Sequence, residues 1–320
     1  MSKIISNISK PFNSLITIYN KTSTWGKILI IVIIFLIVIT LFKSAGQRIN
    51  IEGFEEQKTY TYKTGENIYD SFYADVYEYL AFNKIKDNYE IGQIVNSTKP
   101  TEQSTILDIG SGIGNHVAGL SEQGLNAIGL DNSQAMIDKA KQKFPELNFI
   151  HGNALNSNQF QQNSFTHILC LYHTIYYFQD KAQFFANCMN WLQGGGYLVV
   201  HTVDREMFDP ILQAANPLLM LTPQRHSPKR ITTSKITFDK FKYFADYQLD
   251  QNTNSAKFIE KFSNKTSGKV FRKNEHQLYI EPESDILNMA QEAGFIIHAE
   301  IDLIKVGYEY NKLVVFQKPE

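Results

Sequence analysis

Cysteine is scarce in this chain: Cys170 and Cys188 are the only two among 320 residues. Two thiols cannot supply a disulfide framework or a four-cysteine zinc site. Both fall in largely apolar runs, which reads as buried free thiols in a reducing compartment. An excess of one charge is also missing. With 31 basic and 32 acidic side chains the net charge is −1, unlike the basic balance of a dedicated nucleic-acid binder. The 43% hydrophobic content excludes wholesale disorder, and no internal repeat or long low-complexity tract is present. The length suits one large domain or two small ones.

One long apolar run stands out. From Ile28 to Phe42 the sequence ILIIVIIFLIVITLF is uncharged and bracketed by Lys27 and Lys43. As a helix it rises roughly 22 Å against a hydrocarbon core of roughly 30 Å, extended by Trp25 and Gly26 and by snorkelling lysines. A cleaved signal peptide fits less well, because about 27 residues precede the run and no A-x-A site follows. A buried soluble helix would show a polar face. The expected organisation is a polar tail at 1–24, a single transmembrane helix at 25–42, a linker at 43–58 and a folded domain at 59–320. Basic residues flank the run on both sides, Lys10 and Lys21 before it and Arg48 and Lys58 after it, so the positive-inside rule does not orient it.

Within the domain, Ile68, Phe72, Val76 and Leu80 recur every fourth position and predict a helix. Tyr69, Tyr73 and Tyr77 form a second stripe on it. The stretch STILDIGSGIGNHVAGLSEQGLNAIGLDNS follows. Ile106–Ile109 reads as a buried parallel strand, Gly110 to Gly114 as a tight turn, and His116 to Ser121 as the start of a helix with His116 an ordinary helix or surface residue. A second strand, Asn126 to Leu130, ends at Asp131, where a doubly wound sheet places a carboxylate to meet ribose hydroxyls. A nucleoside-containing ligand is the expectation.

The dinucleotide fingerprint would put glycine where Asn115 stands. An acidic residue, Asp108, instead leads into Gly110, Gly112 and Gly114, and in this the chain resembles the class I S-adenosylmethionine-dependent methyltransferases over most of its length beyond Thr59. The resemblance implies a Rossmann-like, doubly wound, seven-stranded α/β sheet closed by an antiparallel C-terminal hairpin, 296–304 with 313–317. It implies S-adenosyl-L-methionine as cofactor, held by Asp108, Gly110, Ser111, Gly112 and Gly114. Asp131, Asn132, Ser133 and Met136 match a D-x-S-x-x-M run, with Met136 against adenine. Gly152, Asn153 and Ala154 stand where the family has Gly-Asp-Ala, so Asn153 replaces an acid. Leu192 and Gly194 to Gly196 match a turn before strand five. Tyr69 and Asp70 are candidates for a lid, and Tyr69 and Tyr73 for cofactor contact. The likeness extends to membrane-tethered methyltransferases predicted in large DNA viruses, with which the Asn, Lys and Ile bias is compatible. Since the cofactor is made in the cytosol, the domain is expected to face it.

Methyl transfer needs a base only when the acceptor must lose a proton. His173, after strand four, is the leading candidate; His201 (with Asp204) and His276 are weaker ones. An insertion at 203–283 alternates in KITFDKFKYF and AKFIEKF, predicting a small antiparallel sheet over the acceptor. It carries an apolar patch at 210–221 and a basic cluster, Arg225, His226, Lys229 and Arg230. No metal is expected, and no nucleic-acid substrate either, because Leu171-Tyr172-His173-Thr174 lacks a D-P-P-Y tetrapeptide. The acceptor stays open among a small molecule, a lipid and a membrane-bound protein. A catalytically silent scaffold and a nicotinamide-dependent oxidoreductase are the rival readings.

Overall fold

A computed structural model describes residues 22–28, 30, 33, 60–81, 83–208 and 230–320. The chain divides into two compact units, 1–57 and 58–320. In the first, 24–28 are helical. Among the described residues no helix is long and apolar enough to cross a membrane. The expected span at 25–42 lies largely outside the described residues, as do the tail at 1–24 and the linker at 43–58. The apolar patch at 210–221 and Arg225, His226 and Lys229 lie outside them as well.

The second unit is built on seven strands: β2 (Thr105–Ile109), β3 (Asn126–Asp131), β4 (Asn148–His151), β5 (Phe165–Cys170), β6 (Leu192–Val203), β11 (Ile296–Asp302) and β12 (Asn311–Gln317). Their order is β11-β12-β6-β5-β2-β3-β4. The pairs β2–β3, β3–β4, β2–β5 and β5–β6 are parallel, and β12 is antiparallel to both β6 and β11. The expected sheet and closing hairpin are therefore present. The chain leaves β2 toward one edge and later returns to β5 on β2's other side. That reversal opens a crevice at the carboxyl ends of β2 and β5, where doubly wound sheets bind ligands.

Helices pack on both faces of the sheet: α1 (Ser71–Ala81), α2 (Lys84–Thr98), α3 (Asn115–Ser121), α4 (Gln134–Lys143), α5 (Lys181–Trp191) and α6 (Glu283–Glu292). Local chemistry starts three of them. Asn83, Ser133 and Asp180 each accept a backbone N–H three residues on, from Lys86, Met136 and Gln183. One apolar layer gathers Phe184, Phe185, Cys188 and Trp191, and the other Ile91, Ile94, Val117 and Leu120. Cys170 and Cys188 are buried free thiols, as expected.

Over the crevice lies a second sheet, in the order β1-β10-β9-β8-β7. The strands β7 (Thr233–Thr237), β8 (Phe241–Asp250), β9 (Ser255–Asn264) and β10 (Val270–Tyr279) form the antiparallel sheet expected of the insertion. Its fifth strand was not foreseen: β1 (Thr61–Thr64) joins β10 in parallel from far upstream. Four polar residues, TYKT, offer no apolar alternation to reveal it. The triple glycine also differs from expectation. Gly194 to Gly196 lie inside β6 rather than in a turn before it, with Gly195 at φ +75° donating its N–H to the Lys318 carbonyl at 3.0 Å.

Gly114 shows why the loop after β2 uses glycine. Its φ is +87°, and a Cβ there would sit 2.6 Å from the Phe149 ring and 3.3 Å from Ala140. Gly124 has φ +77° with nothing within 4 Å of such a Cβ. Both strain and overlap oppose alanine at the first position, and strain alone at the second. Gly114→Ala is expected to lose about 2–5 kcal/mol in urea denaturation and Gly124→Ala about 1–2 kcal/mol. Equal losses would show that packing against Phe149 is not what fixes Gly114.

Candidate active site

The glycine loop is shaped by the end of the neighbouring strand. Gly110 and Ser111 donate their N–H groups to the Leu130 carbonyl at 2.8 and 3.0 Å. Gly112 donates to Asp131 Oδ2 and Ser133 to Asp131 Oδ1, each at 2.8 Å. Each carboxylate oxygen thus accepts one backbone N–H and keeps a further lone pair for a ligand. Burial pushes the Asp131 carboxyl up, and the two backbone donors oppose that shift. Gly110 is pressed against the loop after β5: a Cβ on it would lie 2.5 Å from the Thr174 side chain.

The loop opens on a cavity of about 420 Å³. Of the residues anticipated to hold the cofactor, Gly110, Gly112, Asp131, Asn132, Met136, Asn153, Ala154, Tyr69 and Tyr73 line it, as do His173 and His276. Asn153 Oδ1 accepts the Leu155 N–H at 2.8 Å, so the residue also closes its own turn. The segment before α1 closes the cavity as a strap. Asn132 Nδ2 donates to Glu66 at 2.6 Å and Ser133 Oγ to the Tyr69 carbonyl at 2.5 Å. Arg272 on β10 grips Asp70 through two bonds of 2.8 and 2.9 Å.

Other anticipated residues lie elsewhere. Asp108 and Ser111 sit beneath the loop in a smaller pocket with Asp87 and His116, where Ser111 Oγ is buried without a hydrogen-bond partner. Burial raises the Asp108 carboxyl to about 7. Gly114 lines neither pocket, and its place is explained by Phe149. His201 on β6 is fully buried and does not line the cavity, its ring centroid 4.6 Å from that of His173. His173 and His201 share one acceptor, Asn311 Oδ1, at 2.8 and 3.0 Å, so each donates from Nε2. Burial lowers His173 to about 4, which leaves it neutral and suited to positioning more than to proton uptake. Tyr172 and His173 take consecutive left-handed conformations, φ 50° and 66°, costing about 1–2 kcal/mol each. Arg230 stacks on the Phe208 and Tyr247 rings that line the cavity.

The sequence reading missed an ion cluster under the site, brought by α2. Lys86 Nζ lies 2.8 Å from Glu90 Oε2, both fully buried. His116, anticipated as an ordinary helix or surface residue, is in helix α3 and lies 3.0 Å from the same oxygen and 3.8 Å from Asp87. Burial opposes its charge, but Asp87 and Glu90 raise it to about 9. The carboxylates and His116 are close enough together to suit a cation. Lys86 and protonated His116 supply two positive charges against the two carboxylates, which makes the cluster a buried ion-pair network. Its sequence signal, charges at i and i+4 in KIKDNYE, is indistinguishable from that of a solvated helix face.

Residues 107–200 match a family model described as a methyltransferase domain. No curated protein matches the chain. Among solved structures, the fold resembles the CcbJ methyltransferase from Streptomyces caelestis, with TM-score 0.61, 14% identity, and 80% of this chain and 100% of that one covered. It also resembles an S-adenosylmethionine-dependent methyltransferase from Clostridium acetobutylicum, with TM-score 0.58, 16% identity, and 78% and 97% covered. A third likeness is to SAM-bound CalS10, an amino pentose methyltransferase from Micromonospora echinaspora, with TM-score 0.52, 15% identity, and 72% and 91% covered. Strand, glycine loop and crevice thus share the fold of these methyltransferases, with the stretch that matches the methyltransferase domain running from β2 into β6.

The histidines give stability a two-sided pH dependence. His116, raised to about 9, stabilises fully below its unfolded value of about 6.5, and that contribution is lost as pH rises through 9. His167 and His173, lowered to about 4 by burial, stabilise above about 6.5 and lose that as pH falls through 4. His116→Gln is expected to flatten the fall in unfolding free energy between about pH 6.5 and 9, by up to about 3 kcal/mol, and to leave the acid limb in place. An unchanged alkaline limb would contradict the buried ion cluster.

Proposed function

We propose that the chain transfers the methyl group of S-adenosylmethionine to a small acceptor held beneath the second sheet. The observation that carries this reading is the Asp131 carboxylate, fixed by Gly112 and Ser133, at the mouth of a roofed cavity at the sheet's topological switch point. Asp131, Asn132, Gly110 and Gly112 would hold the ribose and methionine portions, with Met136, Asn153 and Ala154 at the base. Bound there, the cofactor supplies a methyl group activated on a sulfonium. The protein's own task is then alignment and exclusion of water, which the strap and the second sheet serve. A roofed cavity of this size favours a small acceptor over a lipid or a protein surface. The amino pentose acted on by CalS10 is an acceptor of that scale. The β11–β12 hairpin weighs against a nicotinamide-dependent oxidoreductase, whose sheet lacks it.

The uncharged run at 28–42 supports a membrane tether on the same chain, with the catalytic unit on the cytosolic side where the cofactor is made. Full-length protein is expected to stay in the membrane pellet on alkaline carbonate extraction, and a variant lacking 28–42 to leave it. Release of the full-length chain would remove the tether.

Asp131→Ala is expected to weaken S-adenosylmethionine and S-adenosylhomocysteine binding by roughly 1–3 kcal/mol in titration calorimetry, the scale of losing charge-assisted hydrogen bonds. Unchanged affinity would take Asp131 out of the site. A folded wild-type chain that binds neither ligand would favour the silent scaffold.

A further inference from the structure

The second sheet does not present an ordinary apolar face to the cavity. The inward positions of β8 are Phe241, Tyr243, Ala245 and Tyr247, as burial by alternation requires. On β9 and β10, however, Glu260, Arg272, Asn274 and His276 occupy such positions, each 3% exposed or less. Four buried polar side chains in one sheet face are costly unless a network satisfies them.

Glu260 is the hub. Its Oε1 accepts the hydroxyls of Tyr73 at 3.0 Å and Tyr243 at 2.8 Å. Its Oε2 accepts Asn274 Nδ2 at 2.9 Å and His276 Nε2 at 2.8 Å. Burial pushes Glu260 up, but His276 and these donors outweigh it and hold the group ionised. The guanidinium of Arg272 is engaged by Asp70, the Ile68 carbonyl and Asn274 Oδ1, so the imidazole of His276 is the ring in direct contact with the Glu260 carboxylate. On its other side His276 Nδ1 lies 3.0 Å from the Tyr177 hydroxyl. With its Nε2 proton on Glu260, the ring presents the Nδ1 lone pair to that hydroxyl. Tyr177 lines the cavity directly after the β5 loop and is 38% exposed.

Resting on the methyltransferase reading above, we propose that Tyr177, His276 and Glu260 form a proton relay that accepts a proton from an amine acceptor arriving as an ammonium. The N–H bond of the ammonium breaks, its proton passes to the Tyr177 oxygen, and the Tyr177 hydroxyl proton passes to His276 Nδ1. The electron pair stays on the acceptor nitrogen as the nucleophile, and the imidazolium is stabilised by Glu260. Two observations select an ammonium. The charged residues among the described lining are Glu66 and Asp131, with no lysine or arginine, and the aromatic faces of Tyr69, Tyr73 and Tyr177 attract cations. An aliphatic ammonium titrates near about 10, within reach of an imidazole, whereas an alcohol does not. Tyr177 is the catalytic residue here, and His276 and Glu260 position and polarise it.

The test uses sinefungin, a cofactor analogue with an amine in place of the methylsulfonium, against S-adenosylhomocysteine, by calorimetry on the full chain. Wild type is expected to prefer sinefungin by about 10-fold or more, the scale of a hydrogen bond to a charged group. Tyr177→Phe should cut the preference below about 3-fold while leaving S-adenosylhomocysteine affinity within about 2-fold. Glu260→Gln, checked for folding by near-ultraviolet circular dichroism, should cut it similarly. A Tyr177→Phe chain that keeps the wild-type preference, or a wild type without one, overturns the relay and leaves the cofactor reading intact. A folded chain that binds neither ligand overturns the methyltransferase reading itself.

Discussion

The carboxylate of Asp131 on the amides of Gly112 and Ser133 is the constraint around which the site is arranged. It ties the loop after β2 to the end of β3, so that the bare backbone of Gly110 and Gly112 faces the crevice. It also fixes Ser133, which caps α4 and takes hold of the strap through the Tyr69 carbonyl. A carboxylate used this way accepts from protein amides and still offers lone pairs outward. The same group therefore shapes the loop and reads the ligand.

Charge is distributed by depth. Under the loop, Lys86 and His116 lie against Asp87 and Glu90 in a buried ion-pair network. Above the cavity, Arg272 holds the strap to the second sheet through Asp70, while Glu260 is paired with a histidine rather than a permanent cation. Between these layers the described lining carries Glu66 and Asp131 among aromatic rings. A cationic cofactor and an ammonium acceptor both suit that field. The two layers also divide the labour: the lower one stabilises the fold while His116 stays protonated, and the upper one faces the cavity.

Much of this was legible in the sequence, for physical reasons that differ by element. Gly110, Gly112 and Asp131 announce themselves because a positive φ and a strand-end carboxylate are hard to supply in any other way. The second sheet showed through the alternation in its strands. By contrast, β1 has no apolar pattern and pairs with a strand about 200 residues away, so nothing local marks it. The Lys86–Glu90 pair looks like a solvated helix face until tertiary packing buries it. His276 was visible as a candidate, but its partners Glu260 and Tyr177 come from another strand and another loop, and only the fold joins them. His201 looked equally available from its place after strand five and is instead fully buried outside the cavity lining.

Hydrogen exchange of the full chain, with and without S-adenosylhomocysteine, tests the central claim most directly, because it reports where a cofactor-shaped ligand sits. The account predicts protection in two places at once: the loop 110–114 with the start of α4 at 132–136, and the strap at 65–70. Slowed exchange confined to other segments, or no change in the glycine loop at saturating ligand, would contradict it.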